Sequence, residues 1–152
     1  MCTSNQKVVK SPKKGYKICR SGNPTKDEYI SYYLGTIWKK GENIAAISPK
    51  CGHTPIEDQI GFHCFKFLKD AVAFAKKINQ LSKFDIHVHK EPLYIITLTL
   101  QESKTSKVRE GNNDICSPAC NKSPCYIAPI AVWNGKITRK MGWLHYSKKT
   151  ER

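Results

Sequence analysis

Three cysteines fall within ten residues at Cys116, Cys120 and Cys125, and a fourth stands next to a histidine in Cys51-Gly52-His53. Thiolate and imidazole are ligands that zinc takes up in a tetrahedron, and two loop clusters meeting in space would supply four of them. The spacings are not those of a C-x2-C knuckle, so loop thiols without a metal compete with this reading. In an exported protein the same thiols would instead form disulfides. A second constellation is Asp85-x-His87-x-His89. On a strand alternate residues share a face, so one carboxylate and two imidazoles would project together, able to share a metal or to titrate near neutrality. Ile86 and Val88 would occupy the opposite face, which is also what any strand with one solvated side presents.

Cations beside aromatic rings form the third pattern, in Tyr16-Lys17, Trp38-Lys39-Lys40 and Arg139-Lys140-Met141-Gly142-Trp143. Single-stranded nucleic acid is bound in positive grooves where bases stack on rings. The candidate contacts are Lys17, Lys39, Lys40, Arg139, Lys140 and Trp143. The competing account puts the rings in the core and the lysines at its edges. No helix-turn-helix, zinc-finger or ribonucleoprotein motif accompanies them. His63 and Cys64 are neighbours, yet adjacent strand residues point to opposite faces and cannot serve each other as base and nucleophile. No G-x-S-x-G, P-loop or dinucleotide glycine fingerprint occurs. Apart from zinc, the residues imply no cofactor.

The elements that must position these groups centre on Gly61–Leu81. Apolar residues at Leu68, Ala71, Val72, Ala75, Ile78 and Leu81 follow a 3.6-residue period and predict a helix over Leu68–Leu81, with Phe74 off the centre of the stripe. Ile60, Phe62, Cys64 and Phe65 predict a preceding strand, where Gly61 marks a bulge or a close backbone approach. Leu93–Leu100 is the best central strand. Gly15–Arg20 alternates as a first strand with Tyr16, Ile18 and Arg20 on one face, and Tyr29–Trp38 reads as one strand interrupted at Gly35. Asn134-Gly135 lies between the runs Tyr126–Trp133 and Lys136–Tyr146 and predicts a C-terminal β-hairpin. The fold class is α+β, a mixed and mainly antiparallel sheet with one principal helix. Residues 1–14 read as a flexible basic tail, 15–147 as one domain with a long loop over 101–125, and 148–152 as a second basic tail.

Of the 152 residues, 26 are basic and 12 acidic, a formal net charge of +14. That balance favours polyanionic partners. All but four of the basic residues are lysine, which suits diffuse attraction better than the bidentate recognition that arginine provides. The first residues lack an apolar signal core and no run is long enough to span a bilayer, so a soluble, intracellular chain with reduced thiols is expected. The expected role is a small, non-enzymatic binding or accessory protein that engages an acidic partner, either nucleic acid or an acidic protein. A zinc-stabilised protein-interaction domain is the alternative that the cysteines suggest.

The order Gly15-Tyr16-Lys17, then Gly61-Phe62-His63-Cys64-Phe65, an alanine-containing helix and an apolar strand resembles small uncharacterised viral and bacterial domains with a G-F-H-x-F segment. More distantly, the same stretch resembles ADP-ribosyltransferases, where a glycine- and aromatic-rich strand leads into a helix. That second resemblance implies a nicotinamide pocket beside His63 and a catalytic carboxylate, for which Glu102 is the candidate. The early His-Gly of those enzymes has no counterpart, since Gly52-His53 lies too close to Gly61.

Overall fold

The computed structural model describes residues 2–23, 28–31, 36–45, 61–81, 92–114 and 123–141. Among these lie eleven strands and one helix: β1 (Cys2–Val8), β2 (Lys13–Asn23), β3 (Glu28–Ser31), β4 (Ile37–Trp38), β5 (Gly41–Ile44), β6 (Phe62–Phe65), α1 (Leu68–Leu81), β7 (Leu93–Gln101), β8 (Arg109–Asp114), β9 (Pro124–Ala128), β10 (Ile130–Trp133) and β11 (Arg139–Met141). Every pairing is antiparallel. The main path runs β1-β8-β9-β6-β2-β7-β10-β5, with β11 beside β7 and the β3–β4 pair beside β2.

This sheet cannot be flat. Only Pro129 separates β9 from β10, yet β6, β2 and β7 lie between them in the strand order. Four strand spacings in a plane would cover about 19 Å, whereas two peptide units reach only about 7 Å. The sheet therefore folds back on itself, and the fold line is the β2–β6 junction, where Tyr16 and Phe65 form the one registered pair. The two halves bury a common core. Phe62, Cys64, Val108, Tyr126 and Ala128 come from one side; Cys19, Trp38, Ile96, Leu98, Leu100, Ala131 and Trp133 come from the other.

β7 serves both of its faces. Ile96, Leu98 and Leu100 enter the inter-sheet core, while Leu93 and Ile95 meet the helix. Helix α1 has the bounds that periodicity predicts, and its Ala71, Val72, Ala75 and Ile78 pack on Ile18, Leu93, Ile95 and Met141. Phe74 is buried too, with its ring 5.6 Å from that of Phe65. The helix covers only one end of the sheet's outer face. Thr99, farther along β7, is exposed.

Several sequence expectations need correction. The supposed basic tail contains β1, which pairs with β8 from Cys2↔Asp114 to Val8↔Arg109. The supposed loop over 101–125 contains β8 and the start of β9. Backbone ladders with polar side chains carry no apolar alternation, so hydrophobic pattern alone does not mark them. Tyr29–Trp38 is not one strand, because β3 and β4 pair with each other through Tyr29↔Trp38 and Ile30↔Ile37. The Asn134-Gly135 step does not join two paired strands. β10 lies along Leu98–Gln101 and β11 along Leu93–Ile95 of the same neighbour β7, so the chain leaves β7 after Trp133 and returns at Thr138 in the same direction. Gly135 has the positive φ (84°) that its type allows, used in an excursion and not in a reversal. The 84–89 strand expectation and the 148–152 tail lie outside the described residues.

Gly61 is where the two sheets constrain the backbone most tightly. Its φ is 145°, and a Cβ there would stand 2.6 Å from Ile127 Cγ2 and 3.0 Å from the Ala128 carbonyl oxygen. Gly61→Ala should therefore cost about 2–4 kcal/mol, from strain and overpacking together. The check is the shift in urea midpoint, and an unchanged midpoint would remove the close approach.

Candidate functional site

The sequence candidates separate into two groups. Lys17 belongs to the interior-facing side of β2, in register with Ile96. Its Nζ donates a 2.6 Å hydrogen bond to the His63 carbonyl, tying β2 to β6 just past their fold line. Trp38 is 3% exposed, donates through Nε1 to Ser31 Oγ at 2.7 Å and packs 4.8 Å from Phe62. Tyr16 packs against the helix-side core. These rings and this lysine are structural, and Trp143 lies outside the described residues.

Lys39, Lys40, Arg139 and Lys140 are exposed, and the fold draws them toward one end of the sheet. Lys39 and Lys40 form the link from β4 to β5, held by Asn43, whose side chain accepts from Lys39 N at 3.0 Å and donates to the Lys39 carbonyl at 2.9 Å. Gly41 then pairs with Trp133. The aliphatic part of Lys40 lies over Gly135, where an added Cβ would sit 3.1 Å from its Cδ. The 134–138 excursion is fixed from within. Lys136 N donates to Asn134 Oδ1, and Trp133 Nε1 donates to the Lys136 carbonyl, both at 2.9 Å. Lys136, which sequence patterning did not single out, thus joins Lys39 and Lys40. Beyond the excursion, Lys140 pairs with Tyr94 and places its Nζ 5.9 Å from that ring centroid. Tyr94 meets Tyr29 edge-on at 5.2 Å, and Tyr29 meets Trp133 at 5.7 Å. Arg139 pairs with Ile95 and so belongs to the opposite, helix-side face.

The ion pairs among the described residues lie on another part of the sheet. Glu110 is shared by Lys66 and Lys7 in a row across β1, β8 and β9 that continues to Tyr126. The Lys66 hydrogen bond holds the Glu110 carboxyl below its ordinary range and the Lys66 ammonium above its own; burial raises the Tyr126 phenol. By contrast, Lys39, Lys40, Lys136, Arg139 and Lys140 have no ion pair among the described residues.

Most of the residues of the metal expectation fall outside the described ones. Cys51, His53, Cys116 and Cys120 lie outside them. Cys125 is not a loop residue: it is buried on β9, opposite Phe65. Among the described residues no group of three or more metal-ligating side chains comes together. Cys19 and Cys64 are buried core thiols; burial pushes Cys64 up to about 12 and Cys19 higher still, against the lowering effect of Lys17. His63 is pushed down to about 3, by burial first and the Lys17 charge second, so its imidazole is neutral near pH ~7. The pair suggested by the ADP-ribosyltransferase resemblance is not assembled. From Tyr16↔Phe65, β6 carries His63 toward the C-terminal end of β2; Glu102 follows the Lys13↔Leu100 pairing at the opposite end and is exposed. No helix among the described residues is long and apolar enough to cross a membrane. No family model, curated protein or solved structure matches the chain.

Two measurements follow from these environments. Glu110 has a folded pKa below its unfolded value of about 4.3, so its contribution is complete above that pH and disappears as pH falls through the folded value. Glu110→Gln should cost about 1 kcal/mol near neutrality and little once pH has fallen through the folded value, so the two stability curves converge in acid. Parallel curves would remove the ion pair's role. Cys19 and Cys64 should resist iodoacetamide at pH ~8 in the folded protein and react on unfolding, because thiolate is the nucleophile. Peptide mass mapping reads this directly, and rapid labelling of either residue would contradict its burial.

Proposed function

We propose that this chain is a small, basic, non-enzymatic binding module that engages an acidic partner through Lys39, Lys40, Lys136 and Lys140. The observation that carries the proposal is the convergence of these four exposed cations, without carboxylate partners among the described residues, on the ordered excursion between β10 and β11. A lysine whose charge is not internally neutralised keeps its full attraction for an external anion. Lys7 and Lys66, by contrast, are taken up by Glu110. Fixing the excursion through the Trp133 and Asn134 hydrogen bonds means that little loop entropy is lost when a partner binds.

Lysine heads act as hydrated point charges and not as planar forks, so the attraction expected here is long-ranged and tolerant of sequence. A flexible oligonucleotide serves as a neutral test of polyanion binding, since it presents a regular row of phosphates. With four contacts, the logarithm of its affinity should fall against the logarithm of salt with a slope of about −3. Raising monovalent salt from about 50 to 200 mM should then weaken binding roughly 50-fold. Changing Lys39, Lys40, Lys136 and Lys140 together to glutamine should flatten that slope to near zero. If the quadruple variant keeps the slope of the parent, the partner lies on another part of this cationic surface.

A further inference from the structure

We propose that the acidic partner is an extended polypeptide segment that adds as a further strand to the outer edge of β5; this rests on the reading of the cationic face given above. Among the described residues β5 ends the strand path, with β10 as its neighbour on one side. The direction of its backbone groups follows from the ladder. Ala45 N donates to the Pro129 carbonyl at 2.9 Å, and Asn43 and Gly41 pair with Ala131 and Trp133 in the same register. Alternate residues of an antiparallel strand turn their amides and carbonyls to opposite sides. Those of Glu42 and Ile44 therefore turn outward, away from β10. Such an edge is a template for an incoming strand.

Side chains mark the same place. Ile44 is 71% exposed and lies on the outer face beside Ile130, its partner in β10. At the other end of β5, Lys39 and Lys40 precede Gly41, with Lys136 close by. An incoming strand thus meets backbone donors and acceptors along its length, an aliphatic contact at one end and cations at the other. Glu42 restricts its composition further. Like charges directly opposite each other are unfavourable across a ladder. The residue facing Glu42 is then uncharged or basic, the one facing Ile44 is branched and apolar, and the acidic residues lie at the end that reaches Lys39 and Lys40.

A polypeptide fits this edge better than a nucleic acid. A phosphodiester backbone has no N–H groups to give to the outward carbonyls of β5. Base stacking is also poorly served, because Trp38 and Trp133 beside the lysines are 3% and 4% exposed.

The test uses a synthetic, fluorescently labelled peptide of alternating valine and threonine followed by four glutamates, measured by anisotropy against the full chain. A second peptide of the same charge carries N-methyl groups on alternate amides and is made in both phases; an oligothymidylate is the third probe. The unmodified peptide should bind, with at least tenfold loss for one phase of N-methylation. Ile44→Pro removes an outward N–H and leaves the Ala45–Pro129 hydrogen bond in place, and proline is tolerated on strand edges. It should weaken the peptide at least tenfold and leave the oligonucleotide unchanged, while Lys39→Glu with Lys40→Glu weakens both. If both N-methylated peptides bind as well as the parent, or only the oligonucleotide binds, strand addition is wrong and the cationic face stands. If neither probe class binds, both proposals fall. Should Ile44→Pro not fold, hydrogen exchange on the unaltered protein decides the matter. The amides of Glu42 and Ile44 should slow at least tenfold with saturating peptide, and unchanged rates would overturn the proposal.

Discussion

One covalent fact bends this molecule. Ala128 and Ile130 are two residues apart in the chain, but their strands lie four places apart in the sheet. Chain connectivity cannot stretch, so the sheet must close the distance by folding at its weakest pairing, the single Tyr16↔Phe65 contact. The other tight spots follow from that fold. Gly61 is needed where β6 enters against Ile127 and Ala128, and Gly15 is needed where an added Cβ would meet Cys64 Cβ at 2.9 Å and Leu100 Cδ1 at 2.8 Å. Lys17 bridges the same junction by donating to the His63 carbonyl, which satisfies a backbone group where the β2–β6 ladder has run out.

Closure also explains the composition of β7. A strand in the middle of a flat antiparallel sheet commonly keeps one solvated face. Here one face of β7 looks into the folded-over sheet and part of the other is covered by α1, so Leu93, Ile95, Ile96, Leu98 and Leu100 are all buried. The alternation returns where the helix ends: Thr99 is exposed between the buried Leu98 and Leu100. The run of apolar residues therefore reports how far the helix reaches along the strand.

What was legible in the sequence depended on whether a signal was periodic and local. The helix was readable to its ends because its apolar stripe is complete, and β7 was readable because it is nearly continuous. β1 and β8 were not, since they pair by backbone and carry residues such as Ser4, Asn112 and Asn113 that pattern as loop. Asn134-Gly135 failed differently. The dipeptide identifies a place where φ > 0 is allowed, and that chemistry serves an in-line excursion as well as a reversal; only the register against β7 distinguishes them. The site shows the same division. Lys39, Lys40, Arg139 and Lys140 were found as cations beside rings, but the rings next to them in sequence belong to the core or lie on residues not described. The ring that does meet Lys140 is Tyr94, with Tyr29 packed against it; both come from other strands and are joined only by pairing.

Lysines near a sheet edge have a second physical meaning, which their placement here helps to weigh. Edge strands are commonly protected from unwanted pairing by charged side chains on the strand itself, which make an approaching strand bury a charge. β1 fits that pattern, with Lys7 on the strand. β5 carries one charge of its own, Glu42, among Gly41, Asn43 and Ile44, and the cations stand before it at Lys39 and Lys40 and across from it at Lys136. Asn43, whose backbone like that of Gly41 turns toward β10, uses its side chain on Lys39, Gly41 and Ala131 and not on the outer edge. Glu42 stands among these cations without an ion pair in the described residues. It selects against a strand that is acidic throughout and leaves one whose acids lie beyond the paired segment. A single carboxylate on the edge, with cations set at one of its ends, selects among incoming strands by where their own charges lie.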